Sequence, residues 1–330
     1  MMLGVMSLRN QKIFEPRGLL CRLKTLTEYE SKFRIFFGGT PISRTADRVK
    51  EQIQENGYRI EDLTGREIQV LREDAAIRIA EATERTLGEV YLETLGMGIY
   101  PYRYVRNREI ISIEEQLTLA QSKVAVVGAG GLGGQVILLL GRIGIGHLVV
   151  VDRDVFDETN LNRQVLSNRS NLGRSKAGEA ASALEKINPA VEVTALQMRL
   201  EESNAENILV GSQVVVDALD SVSDRLLLEG VTKKIGVPLV HGALAGFQGQ
   251  IMTIFPEDEG LKRIYGDGTD ELERSKRPEA VLGVPALTAS FVANLEAMEV
   301  IKILLQRGKV FRDMMVFIDL EGGQLDHFVF

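Results

Sequence analysis

The chain has 330 residues, of which 45% are hydrophobic and 26% charged, and its net charge is −7. This hydrophobic content is enough for a full core, the acidic balance argues against nucleic-acid binding, and no apolar run reaches the roughly 18 residues that cross a bilayer. The first residues lack the long apolar segment of a signal peptide, and the single cysteine, Cys21, excludes an intrachain disulfide and a thiolate-rich zinc site. We therefore expect a cytoplasmic protein without nucleic-acid or membrane partners.

Residues 1–99 predict a mainly helical extension. Residues 41–56 predict a short helix that stops at a glycine. Apolar residues at mixed three- and four-residue spacings over 64–95 predict one long amphipathic helix. The Gly-Ile-Tyr-Pro stretch at 98–101 is typical of a linker, so a second domain is expected over 100–330. The extension is expected to pack on the rest of the protein, with a clamp for a peptide or protein substrate as the alternative.

From about residue 123, predicted strands alternate with predicted helices. The expected strands are 124–127, 148–151, 191–196, 214–218, 237–242 and 249–255. The expected helices are 132–144, 175–187, 203–209 and 285–306, followed by a hairpin of 314–319 with 327–330. This alternation predicts a Rossmann-like α/β fold, a mostly parallel sheet flanked by helices and joined by right-handed crossovers. Ligands in such sheets bind beyond the carboxyl ends of the strands.

A glycine-rich loop follows the first of these strands. Its spacing is Gly128-x-Gly130-x-x-Gly133, between an apolar strand and an apolar helix. The first glycine allows a tight turn, the second lets backbone N–H groups approach a phosphate, and the third lets helix and strand pack closely. The helix N-terminus adds free N–H donors and a positive dipole end. The loop thus indicates a nucleotide phosphate without specifying the nucleotide or the reaction.

Polar residues after the second strand favour a triphosphate. Asp152 ends that strand, where a carboxylate can bind the ribose hydroxyls of NAD or of an adenine nucleotide. A dinucleotide dehydrogenase has no use for the polar residues that follow, whereas Arg163 can bond two phosphate oxygens and Lys176 can add a second cation. The alternative is a polar loop and a solvated helix. The full polar set after Asp152 is Asn160, Asn162, Arg163, Gln164 and Lys176.

Two carboxylates follow the strand at 214–218. An oxygen-rich strand end beside phosphates suits Mg²⁺, which takes one or two carboxylates and phosphate oxygens. Asp220 is the better ligand candidate because it lies further out on the loop, and Asp217 is expected to cap or orient the turn. His241 follows a predicted strand, and we expect a structural histidine there rather than one that contacts a substrate.

Taken in order, these motifs resemble the MoeB/ThiF/HesA family, bacterial relatives of ubiquitin-activating enzymes. The resemblance covers residues from about 100 to 306 or beyond. It rests on Arg103-Tyr104-Val105-Arg106-Asn107, Asp152-x-Asp154, Asn160-Leu161-Asn162-Arg163-Gln164, Gly173-Arg174-Ser175-Lys176, Ile187-Asn188-Pro189, Asp217-Ala218-Leu219-Asp220-Ser221 and Gly249-Gln250.

The resemblance implies an ATP-dependent adenylyltransferase. Its acceptor would be the C-terminal carboxylate of a small ubiquitin-like sulfur-carrier protein or a peptide, which attacks the α-phosphate to give an acyl-adenylate and pyrophosphate. The implied catalytic residues are Arg106, Arg163, Lys176 and Asp220, with Asp220 on Mg²⁺ and Arg106 reaching the ATP of the other subunit of a homodimer. The implied ATP-binding residues are Gly128, Gly130, Gly131, Gly133, Asp152, Asp154, Asn160, Arg163, Gln164 and Lys176.

Two features of the family are missing. Many members bind zinc through two Cys-x-x-Cys pairs, but the segment 260–266 has no cysteine, so we expect no zinc. No cysteine stands near Glu279, where some relatives place a thiol. The reaction is therefore expected to stop at the adenylate, or to be finished by another protein or a small nucleophile. Two alternatives stay open: a non-catalytic scaffold of the same fold that binds nucleotide, and an NAD-dependent oxidoreductase.

Overall fold

The computed structural model describes residues 42–62, 64–266 and 278–330. Residues Thr45–Phe330 belong to one compact unit. Residues 1–41 of the predicted extension, Cys21 among them, lie outside the described residues. The boundary that we place between residues 99 and 100 stays a prediction.

The N-terminal part combines helices with a small sheet. Its elements in chain order are α1 (Ile42–Asn56), β1 (Tyr58–Glu61), β2 (Glu67–Leu71), α2 (Glu73–Thr83), α3 (Leu87–Gly96) and β3 (Tyr100–Pro101). The three strands form one sheet in the order β1-β2-β3. The helix predicted over 41–56 is confirmed, and so is the mainly helical character of this region. The stretch at 98–101 is more than a linker, since β3 pairs with β2.

The prediction of a single long helix over 64–95 is wrong. Gly65, at a φ of 80°, instead turns the chain into the β1–β2 hairpin, where Asp62 Oδ1 accepts the N–H groups of Thr64 and Arg66 at 2.7 and 2.9 Å. A second break follows α2, where Glu84 adopts a φ of 53°. Thr86 then starts α3 with a capping box. Apolar spacing alone did not reveal these breaks, because they depend on polar side chains that bond locally to the backbone.

An eight-stranded sheet forms the centre of the remaining chain, in the order β11-β10-β9-β8-β7-β4-β5-β6. The strands β4 to β8 are parallel, and β9 to β11 continue the sheet as antiparallel neighbours. The strands are β4 (Lys123–Val127), β5 (His147–Val151), β6 (Glu192–Leu196), β7 (Val214–Asp217), β8 (Leu239–Ala245), β9 (Gln248–Ile254), β10 (Met314–Asp319) and β11 (Gln324–Val329). The predicted Rossmann-like fold and the closing hairpin are confirmed.

Helices cover both faces of this sheet. They are α4 (Ile113–Gln121), α5 (Gly131–Ile143), α6 (Lys176–Ile187), α7 (Glu202–Leu209), α8 (Val222–Ile235), α9 (Lys262–Tyr265), α10 (Pro278–Leu282) and α11 (Ala286–Leu305). Val124 and Val126 of β4 pack in the core on the side of α5, α6 and α11. Ala125 and Val127 pack on the opposite side, with α7 and α8. Burial on both faces explains why the central strands are continuous apolar runs. No helix within the described residues is long and apolar enough to cross a membrane.

Candidate nucleotide-binding site

A cavity of about 840 Å³ lies at the carboxyl ends of the parallel strands. It is where a Rossmann-like sheet binds its ligands. Nine of the twelve residues that we expected at the site line this cavity. They are Gly128, Gly130, Gly131, Asp152, Asp154, Arg163, Gln164, Lys176 and Asp220. Residues far apart in sequence therefore converge on one cavity, as the strand ends predict.

The glycine loop has the geometry that its spacing predicts. Gly128 has a φ of 101°, and a Cβ atom there would lie 2.4 Å from the carbonyl oxygen of Ala218. At Gly133, which does not line the cavity, a Cβ atom would lie 1.8 Å from the carbonyl oxygen of Gly128. A Cβ atom at Gly130 would find only Gln164 within 4 Å, at 3.7 Å. The first and third positions are thus closed by backbone, whereas the second opens towards the cavity.

We predict opposite effects for alanine at two of these glycines. Gly133→Ala should lower the free energy of unfolding by about 3 kcal/mol, because the helix must move away from the loop backbone. Gly130→Ala should leave thermal unfolding nearly unchanged and weaken nucleotide binding, because the new methyl group takes the space of a phosphate. Thermal unfolding and calorimetric titration with ATP check the pair. Equal destabilisation by both substitutions would contradict the separate roles.

Asp152 holds the glycine loop as well as facing the cavity. Its Oδ2 accepts the N–H of Ala129 at 2.7 Å, and its Oδ1 accepts the N–H of Asp154 at 2.8 Å. Burial raises the pKa of this carboxyl group, against the lowering effect of the two backbone N–H donors. Each oxygen keeps a second lone pair that can accept a ribose hydroxyl. Sequence reasoning predicted the ribose contact and missed the bond to the loop.

The two cations that the sequence predicts for the site are among the five basic residues that line the cavity. Lys176 begins α6 and is only 6% exposed, and its Nζ lies 3.2 Å from Asp154 Oδ2. Arg163 Nη1 donates to two neutral oxygens at 2.9 Å, the carbonyl of Thr159 and Oδ1 of Asn162. Within the part of the chain that the structure describes, no acidic side chain pairs with Arg163. Its charge is therefore available to an anion in the cavity.

Three further predicted residues differ in where they lie and in what they contact. Asn160 is 8% exposed, and its Oδ1 accepts the N–H of Asp157 at 3.0 Å, so its side chain stabilises the loop that carries Arg163. Gln164 lines the cavity, and its buried Oε1 has no hydrogen-bond partner. Arg106 is exposed and lies outside the cavity lining. A single chain therefore does not bring Arg106 to the other predicted catalytic residues.

The two carboxylates after β7 have different environments. Asp220 is exposed at the cavity, whereas Asp217 is fully buried. Asp217 Oδ1 accepts the N–H of Leu219 at 3.0 Å, and Oδ2 lies 2.7 Å from Nδ1 of His241. Burial lowers the pKa of His241, so the neutral ring donates from Nδ1. Asp217 thus orients the turn, as predicted, and His241, which is fully buried, has a structural role.

Sequence reasoning missed Arg225. Its Nε and Nη2 donate to the carbonyl oxygen of Leu219 at 3.2 and 2.6 Å, and its Nη1 donates to Tyr265 Oη at 2.8 Å. Both backbone groups of Leu219 are therefore bonded, one to Asp217 and one to Arg225, in the turn that carries Asp220. The sequence feature that could have identified this arginine is its position, eight residues after Asp217 in the same motif.

The residues present fit magnesium only together with a nucleotide. Among the described residues, no group of three or more His, Cys, Asp or Glu side chains could hold a metal ion. Asp220 offers one carboxylate beside the expected phosphates, and Mg²⁺ is commonly held by one or two carboxylates, phosphate oxygens and water. Asp220 is therefore suited to a magnesium ion whose other ligands come from ATP and solvent. The expected absence of zinc rests on the sequence alone.

Comparison with known proteins identifies the class of this fold and site. Residues 104–329 match the ThiF family, so the chain belongs to that family. The resemblance drawn from the motifs is thereby confirmed.

Its relatives include named activating enzymes. The chain is 37% identical over 220 residues to the SAMP-activating enzyme E1 of Haloferax volcanii, which covers 66% of this chain and 80% of the relative. It is 31% identical to the sulfur carrier protein ThiS adenylyltransferase of Escherichia coli, over 59% of this chain and 76% of the relative. Several other curated relatives are longer, and the chain spans about half of their length. These names confirm the prediction of an adenylyltransferase related to E1 enzymes.

The crystal structure of PaaA shows a related fold over most of the chain. It covers 92% of this chain and 80% of PaaA, at a TM-score of 0.55 and 18% sequence identity. At this identity the match supports the fold, including the N-terminal part, and carries no conclusion about the substrate.

Proposed function

We propose that this chain is an ATP-dependent adenylyltransferase that activates the C-terminal carboxylate of a small ubiquitin-like sulfur-carrier protein or peptide. The observation that carries the proposal is the convergence of the glycine loop, Arg163, Lys176 and Asp220 on one cavity. The loop alone would serve NAD equally well. Arg163, Lys176 and Asp220 together suit the charges of a polyphosphate and its metal ion, which favours ATP over a dinucleotide.

In the proposed reaction a carboxylate oxygen of the acceptor attacks the α-phosphorus of ATP. The new bond joins that oxygen to phosphorus, the bond from the α-phosphorus to the bridging oxygen breaks, and pyrophosphate leaves with its electron pair. The nucleophile is already ionised near neutral pH, so no general base is needed. The difficulty is that one anion must approach another. Arg163 and Lys176 supply positive charge fixed in place before the transition state forms.

The glycine loop supplies the remaining donors. The loop leads into α5 at Gly131, whose first backbone N–H groups have no partner within the helix. Those donors and the positive end of the helix dipole face the cavity where the phosphates would lie. Asp220 would hold magnesium, which supplies further positive charge to the phosphates. The chain's own residues thus bind, orient and neutralise the triphosphate.

The far end of the cavity fits a narrow acceptor tail. It is lined by small and apolar residues from the end of β8 and from the segment around α10: Ala243, Leu244, Ala245, Leu282 and Val284. These side chains leave room for an extended chain. Glu279 of α10 also lines the cavity, so this segment offers the acceptor no positive charge within the described residues that line it. The activating enzymes of SAMP and ThiS are relatives by sequence. We propose an acceptor of the same kind here, with the reaction ending at the acyl-adenylate.

A homodimer is part of the proposal, because an apolar surface borders the phosphate loop. Leu287 and Phe291 in the first turns of α11 are 71% and 38% exposed. Ala289, between them in sequence but fully buried, packs beside the loop, with its Cβ 3.6 Å from the position of a Cβ at Gly131. A second copy that covers these side chains would come next to the phosphates, where its Arg106 could act. The cytoplasmic location stays a prediction.

Isotope exchange between pyrophosphate and ATP tests the function. We predict exchange that requires both Mg²⁺ and an acceptor, supplied as small ubiquitin-like proteins encoded near this chain, because adenylate formation is reversible on the enzyme. Asp220→Asn should lower the exchange rate at least tenfold, since it removes a charged ligand. Asp326→Asn, an exposed aspartate of β11, is the matched control and should exchange normally.

Two results would contradict the proposal. Tight ATP binding without exchange, unchanged by Asp220→Asn, would indicate a non-catalytic scaffold. Calorimetric binding of NAD in preference to ATP would indicate a dinucleotide enzyme.

A further inference from the structure

Parts of two of the sequence motifs have no role in the proposed chemistry, and the structure brings them together. They are Arg103-Tyr104 and Ile187-Asn188. Asn188 Nδ2 donates to Tyr104 Oη at 2.8 Å, and Arg103 Nη1 donates to the carbonyl oxygen of Ile187 at 2.9 Å. Tyr104 is 3% exposed and Asn188 is fully buried. Buried polar contacts of this kind are strongly directional, so the two motifs hold each other in one arrangement.

This contact lies at the carboxyl ends of the two helices whose amino ends form the phosphate site. Helix α5 begins beside the glycine loop, and α6 begins at Lys176. Asn188, the last cap of α6, also donates from Nδ2 to the carbonyl oxygen of Gly141 in the last turn of α5, at 2.8 Å. The helices are in close contact there, because a Cβ atom at Gly141 would lie 2.2 Å from Leu184 Cδ2. One side chain thus joins both helices at their distal ends.

The segment around Arg106 is bonded to the same helix end. Gln116 Nε2 donates to the carbonyl oxygen of Ile143 in α5 at 2.8 Å, and its Oε1 accepts from Asn107 Nδ2 at 3.3 Å. The N–H of Asn107 donates to the carbonyl oxygen of Tyr104 at 2.9 Å. The segment is therefore bonded to α6 directly and to α5 through Gln116. Arg103, which also forms an ion pair with Glu73, lies at the negative dipole end of α6.

Helices transmit displacements from one end to the other. Helix α5 has 13 residues and α6 has 12. At 1.5 Å per residue each is about 20 Å long and behaves as a nearly rigid rod. A change in how their carboxyl ends are joined therefore changes how the glycine loop and Lys176 face each other. Phosphate binding by several groups at once depends on that geometry.

We propose that Tyr104 and Asn188, assisted by Arg103, are positioning residues that set the glycine loop and Lys176 in register for the phosphates of ATP. They contact no part of the nucleotide and act through the distal ends of α5 and α6. The inference rests on the proposed function, since it concerns the affinity of the site for ATP. It assigns a role to two motifs that flank the phosphate-binding helices in the sequence, one before α5 and one after α6.

Tyr104→Phe tests the inference, because it removes only the hydroxyl group that Asn188 bonds. Asn188 keeps its bond to Gly141, so the fold should be retained. We expect the calorimetric Kd for ATP to rise about tenfold. The Kd for adenosine should stay as in the wild type, because adenosine has no phosphate and relies on Asp152. If Tyr104 served only general folding, its substitution would weaken the binding of both ligands alike. The ratio of the Kd for ATP to the Kd for adenosine therefore separates a positioning role from a folding role.

The chain offers a matched control in the same apolar cluster. Tyr91 is 2% exposed, its ring packs edge-on against Tyr104 at 6.1 Å, and its hydroxyl donates to Glu73 rather than to a phosphate-binding helix. Glu73 also pairs with Arg103, but Tyr91→Phe keeps that ion pair and should leave both affinities unchanged. Arg103→Gln is a second test variant. It removes the bond to Ile187 and the ion pair with Glu73, and it should weaken the binding of ATP but not of adenosine.

The outcomes distinguish the inference from the function on which it rests. Wild-type affinity for ATP in Tyr104→Phe would overturn the inference and leave the proposed function standing. Equal losses of affinity for ATP and adenosine in Tyr104→Phe would also overturn it. So would the same loss of ATP affinity in Tyr91→Phe. A wild-type protein that binds no ATP would overturn the proposed function itself.

Discussion

Replacing Lys176 by alanine is expected to lower the rate of acceptor-dependent exchange between pyrophosphate and ATP about a thousandfold, which corresponds to ~4 kcal/mol of transition-state stabilisation. The reason is the position of the ammonium group. It is 6% exposed, it starts α6, and within the described residues its one ion pair is with Asp154. A charge fixed in a mostly buried site acts more strongly on a phosphate than the same charge in water. Initial exchange rates at saturating ATP and Mg²⁺ measure the effect.

The fold should survive this substitution. Asp154, the partner left behind, has a side chain that is 54% exposed, so water can solvate its charge. Lys186→Ala is the control, since Lys186 is exposed near the other end of the same helix. It should retain wild-type exchange. A loss of less than tenfold in Lys176→Ala, with the control unaffected, would remove Lys176 from the proposed catalytic set.

Mixed dimers should reveal whether Arg106 acts across the subunit boundary. One subunit would carry Arg106→Ala and the other Lys176→Ala, with different tags so that the heterodimer can be purified. Each homodimer is expected to be nearly inactive. The heterodimer should recover about half of the wild-type activity, because one of its two sites receives an intact Arg106 from the opposite subunit. The structure motivates this test because Arg106 is exposed and outside the cavity of its own chain.

A second heterodimer, with the two substitutions distributed differently, provides the control. If both substitutions are placed in one subunit and the other is wild type, each site lacks one of the two residues, so that heterodimer should be inactive. Both heterodimers contain the same two substitutions and differ only in their distribution. Activity in the control dimer, or none in the first, would show that Arg106 does not serve the opposite subunit.

Local signals in the sequence predicted the central α/β sheet well. The central strands β4, β5 and β7 are buried on both faces, so each is a short apolar run that ends at a glycine or an aspartate. The loop at Gly128, Gly130 and Gly133 was readable because backbone geometry limits the residues at those positions. The prediction of a helix over 64–95 failed for the opposite reason. Its breaks at Gly65 and Glu84 depend on turn and capping contacts that apolar periodicity does not register.

The candidate site was predicted in part, and the misses have a common cause. Lys176, Arg163 and Asp220 were found because charged residues at strand ends and helix starts point to phosphate chemistry. Asn160 and Asp152 were assigned to the ligand, and the structure shows that they also bond the backbone of their own loops. A sequence lists donors and acceptors without saying which of them the protein itself satisfies.

The sequence by itself determined the class of fold, the phosphate loop and the chemistry of its charged residues, because these depend on local backbone geometry and on residue type. Only the tertiary structure decided which polar groups are left free for a nucleotide, since burial and competing hydrogen bonds settle that. It also brought Tyr104 to Asn188, 84 residues away, at the joined ends of α5 and α6. Contacts between distant segments arise when a sheet and its helices pack, and no local pattern encodes them.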